Sequence, residues 1–480
     1  LIVERGEAFD FKVGESTSEV GAAFLTRVLG LGSWLAREQI AKNGLRFWFQ
    51  SEGNTDVAAC SELGPRLQVR LPAFQLDRSK LDTHVLALAV EAGCELRRPA
   101  TVRDLELLGV GKNRLAISVA GKEKEVVTVG WVIDASGKAA VIARHRGTLE
   151  TLTDHPTSSM WCRFRNVRDL DDGTLAAQSS CYRDRTWGVR ATATNHLAGY
   201  GWWAWVIPLQ GGETSVGITW DRRIYEPPKS GTIPERLVAA LNEHALGAWL
   251  LEKAEPVVED ARIYTQLAYR SMEVMGDGWV AVGDAAGFMD PLYSHGIDFV
   301  GNTVFAVKTI LLDALNGQCV KDRALAYTRQ YQESYLRWFD ALYRDKYQYL
   351  GDSELMRAAL FLDLGCYFIG PVRLIYSDMQ KELALLPYNG PIGFAVGKFM
   401  RFYNRRLAAL GEIRRKKGIW GRKNLGNHCV ISESFVPTYA VRKLIMQGVW
   451  LWLKCEVSTW LAPGGVPQST TIPTEAKAGA

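Results

Sequence analysis

Hydrophobic positions along the chain change period several times, and each change marks an element. Leu1-Ile-Val-Glu4-Arg-Gly6 is an apolar run ending on an acidic residue, the pattern of a buried strand. Val20, Phe24, Val28, Leu31 and Leu35 recur at helical spacing within residues 18–40, and residues 80–92 repeat that amphipathic pattern. Short alternating runs through 94–133 predict strands, the last closing on Asp134 and Gly137. Residues 155–225 predict antiparallel strands in four runs, 158–167, 180–194, 201–209 and 214–221. Strand pattern returns at 279–285 and passes into a helix over 299–315. From 321 onward the pattern is helical and rich in Tyr, Trp and Arg, and residues 462–480 have the Pro/Ser/Thr/Gly composition of a disordered tail.

Composition narrows the class. Hydrophobic residues at 47% and charged residues at 23% are those of a folded globular chain, and 480 residues are enough for two or three packed units. Fifty-seven Lys and Arg against 52 Asp and Glu leave only +5, too mild to argue for nucleic acid. The eight cysteines (60, 94, 162, 181, 319, 366, 429 and 455) form no CxxC and no zinc spacing with His, so no metal is expected. Reduced thiols, no apolar run of about 18 residues and no secretory leader predict a cytoplasmic protein. The chain starts at Leu1 and not at Met, which predicts a preceding segment.

That expectation bears on the opening strand. A strand ending in Glu4 is what a dinucleotide-binding fold places second, its carboxylate on a ribose hydroxyl and its Gly-rich phosphate loop about 20 residues upstream. The loose match Gly276-Asp-Gly278-Trp-Val-Ala281 precedes a strand instead of opening a helix, so it is read as a turn.

Three segments carry a family resemblance: Phe11-Lys-Val-Gly14-Glu15-Ser16, then Trp203-Ala-Trp205-Val-Ile-Pro208, then Val282-Gly283-Asp284 running on to Pro291-Leu-Tyr-Ser294-His295-Gly296-Ile297. In this order they resemble the FAD-dependent halogenases of the flavin monooxygenase superfamily, over most of residues 1–370. The resemblance implies an α/β fold: a Rossmann-like FAD-binding domain of the glutathione-reductase and p-hydroxybenzoate-hydroxylase type, lacking its first strand and glycine loop (1–150 and 270–320). An antiparallel β-sheet substrate-side domain (151–269) would be inserted in it, with a helical region (321–461) and a tail (462–480) following.

The resemblance also implies the chemistry. Reduced FAD and O2 would oxidise chloride or bromide to hypohalous acid, with a separate NAD(P)H-dependent flavin reductase as partner, since no NAD(P)H module is visible. A lysine, here Lys42, would hold the hypohalous acid by hydrogen bond or as a haloamine and present it to an electron-rich aromatic carbon. Glu4, Gly14, Glu15, Ser16, Arg78, Asp134, Gly283, Asp284, Pro291, Gly296 and Ile297 are the cofactor-side candidates. Ser294 and His295 join Lys42 as catalytic candidates, and halide would sit near His295 and Gly296 at a helix start. Trp203, Trp205 and Pro208 would wall the flavin chamber, the two tryptophans sharing one strand face.

Departures from the family point to substrate. Tryptophan-type members carry Glu where this chain has Tyr293, so a phenol or pyrrole, free or carrier-tethered, is expected in place of free tryptophan. His295 replaces the usual small residue and either contacts halide, donates a proton or tunes the loop, and Arg78 either approaches the cofactor or pairs with Asp77 or Asp82. The basic run 414–423 and the apolar stretch 444–461 read as a solvated face and a packed helix, or as a contact for a membrane surface or an acidic carrier protein. The alternatives to a halogenase are a monooxygenase, epoxidase or reductase on the same scaffold, or a flavin-binding protein without halogenation.

Overall fold

The computed structural model describes residues 1–65, 68–69, 71–119, 124–178, 188–377, 386–426, 428–431 and 438–464; Cys181 and residues 465–480, the expected tail, lie outside them. Its centre is an eight-stranded mixed sheet of β1 (Leu45–Phe49), β2 (Ser61–Pro65), β3 (Thr157–Arg165), β4 (Thr194–Gly199), β5 (Trp202–Pro208), β6 (Thr214–Asp221), β7 (Glu255–Tyr264) and β8 (His428–Ile431). The order is β7-β3-β6-β5-β4-β1-β2-β8, antiparallel except for the β4–β1 and β8–β2 pairs. Five longer helices follow the last β-hairpin: α1 (Gly296–Leu315), α2 (Lys321–Leu342), α3 (Ser353–Tyr367), α4 (Gly390–Lys416) and α5 (Thr438–Leu461).

Strand side chains alternate faces, and here both faces are covered, so the strands read as nearly continuous apolar runs. Phe47, Trp161, Trp203, Trp205 and Ile207 face the helical core, where they join the buried Tyr and Trp side chains of α2. Trp48, Met160, Val216, Ile218 and Trp220 face the other way, onto the short helices Ile233–Leu241 and Ala245–Leu251. The register sets Trp205 opposite Gly217, where an added Cβ would lie 2.2 Å from the indole, so only glycine leaves room for that ring.

Two parallel ladders lie outside this sheet: Ile2–Val3 with Leu96–Arg97, and Val132–Asp134 with Trp279–Ala281. Among the described residues, Val132–Asp134 is paired along one edge only. Met275–Gly276 pairs antiparallel with Trp279–Ala281 across Gly278, whose φ is +76°, so the loose glycine match is a turn as read.

The structure differs from the sequence reading in three respects. The large sheet takes β1, β2 and β8 from outside 151–269, because the parallel β1–β4 pair brings the chain after Lys42 into the middle of that sheet. The strand expected over 180–194 begins only at Thr194, while 180–187 are outside the described residues. One helical stretch, Ser353–Ser377, is long and apolar enough to cross a membrane, although no such run was expected; most of it is buried, and Pro371 interrupts it.

Candidate active site

Lys42 leaves the short strand Ile40–Ala41, its amide tied to the Ala73 carbonyl at 2.9 Å, and Gly44 at φ +71° turns the chain into β1. The lysine is 4% exposed. Its ammonium donates to the Thr17 carbonyl at 2.7 Å and to Ser294 Oγ at 3.3 Å. Burial pushes the amine down to about 8, against the pull of the Glu19 and Asp298 carboxylates. Burial raises both carboxyls in turn, Asp298 to about 7, even though Ser18 Oγ and the Gly21 amide donate to Asp298. His196 and His295 are pushed to about 3, first by burial and then by the Lys42 charge, so both imidazoles are neutral near pH 7.

The loop that delivers Ser294 is strained. Tyr293 and Ser294 hold φ of +72° and +63°, each costing roughly 1–3 kcal/mol for a residue with a Cβ. A hydrogen bond from Tyr293 Oη to Asp363 Oδ2 at 2.8 Å holds this geometry, and Asp363 also pairs with the buried Lys346 at 2.7 Å and accepts from Tyr403 at 2.5 Å. His295 Nδ1 lies 2.8 Å from Tyr343 Oη. Helix α1 then starts at Gly296 with no side-chain cap, and a Cβ added there would meet nothing within 4 Å. An uncapped start of a twenty-residue helix facing open space suits an anion.

Trp203 and Trp205 share one face of β5, rings 5.8 Å apart, while Pro208 ends that strand. Trp203 Nε1 donates to Tyr347 Oη at 3.0 Å, and Tyr347 in turn donates to Asp290 of the Pro291 loop at 2.8 Å. His196 lies between Phe47, stacked at 4.5 Å, and Trp203 at 5.3 Å, and Phe47 meets the Tyr293 ring edge-on at 6.4 Å. Sheet and loop are thus fastened by aromatic rings and two buried hydroxyl bonds.

The cofactor-side candidates fall into two groups. Gly14, at φ +93°, packs so close to Arg78 that a Cβ would sit 2.8 Å from Nη1. Arg78 itself makes a two-pronged pair with Asp82, one of the two acidic partners named for it from the sequence, at 2.9 and 3.0 Å. The Asp284 carboxyl, raised by burial, is pulled back by the Arg78 and Lys12 charges. Gly283, at φ +53°, is held by Thr303 Oγ1 at 2.9 Å. Glu15 is buried against Arg163 at 2.7 Å, and Ser16 hydrogen-bonds Thr194 at 2.9 Å. Glu4 and Asp134 are at the carboxyl ends of the two parallel ladders, and Asp134 adjoins the Gly283 segment, its carbonyl accepting from the Val282 amide at 3.0 Å. Glu4 accepts from the Gly6 amide at 2.8 Å, and Asp134 accepts from the amides of Ser136 at 2.9 Å and Ile142 at 2.7 Å. Positive-φ glycines, an uncapped helix start and converging basic and acidic side chains fit the phosphates, hydroxyls and ring of a dinucleotide cofactor.

Lys42 lines a cavity of about 590 Å³ together with His295 and Asp298. Thr17, Glu19 and Tyr293 line it near the lysine, while Trp338, Leu386 and Val396 supply apolar wall. Leu374 and Ile392 line it too, yet are 46% and 81% exposed, which places its mouth there. Glu19, Asp298, Lys346 and Asp363 had no assigned role from sequence. Asp298 follows Gly296-Ile297 within the quoted motif, and a lone buried lysine cannot keep its charge without such partners. Among the described residues no cluster of His, Cys, Asp and Glu could hold a metal.

A family model described as tryptophan halogenase matches residues 56–343. The flavin-dependent halogenase chlA of Dictyostelium discoideum is 24% identical over 75% of this chain and 62% of its own length. A pyrrole-2-carbonyl peptidyl-carrier-protein chlorinase of Pseudomonas fluorescens is 26% identical over 56% of this chain and 57% of its own. The chain thus spans about three-fifths of these curated relatives. The crystal structure of halogenase PltM with phloroglucinol and FAD superposes over 95% of this chain and 93% of that one, with TM-score 0.73 and 17% identity, a likeness of fold. The chain belongs to the tryptophan halogenase family of flavin-dependent halogenases, whose cofactor is FAD, with halide and O2 as co-reactants.

Proposed function

We propose that this chain halogenates an electron-rich aromatic of the phenol or pyrrole type, with Lys42 delivering the halogen. The supporting observation is the position of Lys42: its Nζ bonds Ser294 of the loop that opens α1, and the lysine lines the apolar cavity. Gly14, Gly283, Asp284 and the start of α1 would hold FAD, which in its reduced form would supply the oxidation of halide to hypohalous acid by O2. The helix start at Gly296 and Ile297 holds the halide, with neutral His295 beside it. Trp203, Trp205 and Pro208 keep organic substrate from that side, so the oxidised halogen is the species that passes.

Lys42 receives it in one of two balanced ways. The ammonium donates a hydrogen bond to hypohalous acid, or the neutral amine attacks the halogen to give an N-halo amine and water. With a pKa of about 8, roughly a tenth of the amine is neutral at pH 7, so the second route is open. Transfer of the halogen to a ring carbon leaves the nitrogen one proton short, and the ring proton, passed directly or through a carboxylate or solvent, restores the amine. Asp298 and Glu19, both raised by burial, lie beside the amine to take a proton. Tyr293 commits its hydroxyl to Asp363 and offers no carboxylate to an indole, which favours rings activated by their own oxygen or nitrogen. The printed activity of the carrier-protein pyrrole relative supports a tethered substrate as one form of this class.

The same reading assigns residues 1–150 and 270–320 to a Rossmann-like FAD domain. The single-edge ladder at Val132–Asp134 and the separate ladder at Ile2–Val3 support it, since one further parallel strand between them would join the two. A cytoplasmic setting and a separate NAD(P)H-dependent flavin reductase complete the reading. The test is mass spectrometry of a phenol and pyrrole panel incubated with the chain, FAD, a flavin reductase, NADH and chloride or bromide. Halogen-bearing products that depend on halide support it. Products carrying only added oxygen, indifferent to halide, assign the chain to monooxygenase chemistry instead.

A further inference from the structure

Helix α5 is apolar on both sides. Val441, Leu444, Gly448, Cys455 and Thr459 face the body of the protein and are buried. On the opposite side Met446, Trp450, Leu453, Val457, Trp460 and Leu461 are 54–79% exposed, at the three- and four-residue spacing of a single stripe. A helix packed on one face of a water-soluble body normally shows polar residues on the other. The stripe continues across to α4, where Phe402, 58% exposed, meets the Trp452 ring at 5.7 Å, and further along that helix Phe394 and Ile392 are exposed. Ile392 is also a wall of the catalytic cavity at its mouth. Contiguous apolar surface of this extent marks a contact surface.

Charge tells what it contacts. Residues 390–464 carry thirteen Lys and Arg against three Asp and Glu, whereas the whole chain carries only +5. Four of these cations border the apolar surface: Lys454 lies over the Trp450 ring at 5.1 Å, Lys398 over Phe394 at 4.2 Å, and Arg442 and Lys443 are exposed beside Met446. Exposed Trp and aliphatic side chains bordered by Lys and Arg are the pattern of a helix lying in the plane of a membrane interface, its rings at headgroup depth and its cations on lipid phosphates.

We propose that the exposed face of α4 and α5 docks this chain on an anionic lipid bilayer, with the cavity mouth at Leu374 and Ile392 turned toward the membrane. A lipophilic aromatic dissolved in that layer then enters the cavity without crossing water. An acidic carrier protein would meet the basic residues but has no use for six exposed large apolar side chains on one helix, which is why the lipid surface is preferred. The delivery step rests on the function proposed above; the docking does not.

The experiment is co-sedimentation of the 480-residue chain with vesicles of phosphatidylcholine alone and of phosphatidylcholine mixed with phosphatidylglycerol. The chain should sediment with the anionic vesicles, less so as salt rises, and far less with the neutral ones. Lys443→Glu with Lys454→Glu should weaken binding roughly tenfold or more, and Trp450→Ser with Trp460→Ser comparably. Both double variants should keep the melting temperature, because none of the four side chains is buried. Absence of vesicle binding overturns the proposal, as does binding indifferent to both variants. So does capture of an acidic carrier protein, or formation of a dimer through Trp450, by a chain that ignores vesicles. Sedimentation reads no turnover, so failure of the halogenase reading would leave this result standing.

Discussion

Lys42 Nζ lies 3.3 Å from Ser294 Oγ, and this contact joins two segments more than 250 residues apart in sequence. Ser294 belongs to a loop whose next residues open α1, while Lys42 precedes the first strand of the large sheet. The lysine is therefore held next to the loop that opens α1 and lines the apolar cavity.

The amine should govern the pH profile. Burial holds it near 8, so its neutral fraction rises tenfold per pH step below that value and levels off above it. Turnover by the N-halo amine route is expected to rise with pH to a midpoint near 8. Asp298→Asn removes a charge that favours the ammonium, so the midpoint should move down. Initial rates against pH for the two proteins check this.

Asp298 also links pH to stability. Its folded pKa, about 7, lies above the ordinary carboxylate value, so the folded state binds the extra proton. Its favourable contribution is full below about 4 and is lost as pH rises toward 7. The same Asp298→Asn variant should accordingly be more stable relative to the parent at pH 8 than at pH 5. Thermal melts at the two pH values give the comparison.

Gly14→Ala tests the cofactor side. The added methyl would sit 2.8 Å from Arg78 Nη1, on a backbone at φ +93°. The strain costs about 1–2 kcal/mol, and the Arg78 guanidinium has to shift. FAD affinity should fall roughly tenfold, as read by flavin fluorescence titration.

Tyr293→Glu puts the tryptophan-type residue back. In this chain it would place a second carboxylate beside Asp363 with Lys346 as the buried counter-charge, a crowding that costs about 2 kcal/mol or more. The variant should melt lower and gain no activity on tryptophan. Tyr293→Phe loses only one hydrogen bond, about 1 kcal/mol, and should retain turnover.

Much of this site is legible in sequence because its parts are local. The spacing of Trp203 and Trp205 fixes a shared face, and the run from Pro291 to Ile297 marks a loop entering a helix. Distant pairings are less legible. Nothing near Lys42 announces that Asp298 and Glu19 flank it, since those contacts depend on how α1 packs on the segment around Ser18. The pairing of β1 with β4 is likewise nonlocal, so the sheet's reach beyond residues 151–269 was not readable from the strand run itself. Arg163 reads as one more polar residue in a strand, yet it is buried among Glu15, Asp77 and Glu213, a cluster that only the folded sheet assembles.

In the proposed reaction Lys42 hands the halogen from the flavin side to the aromatic. The most direct measurement compares parent and Lys42→Met in the presence of FAD, reductase, NADH and bromide, following aromatic product and freely diffusing hypobromous acid together. The account predicts that Lys42→Met still consumes bromide and leaks hypobromous acid to a scavenger while aromatic product falls by about two orders of magnitude. Aromatic product that persists in Lys42→Met at the parent's rate and regiochemistry would contradict it.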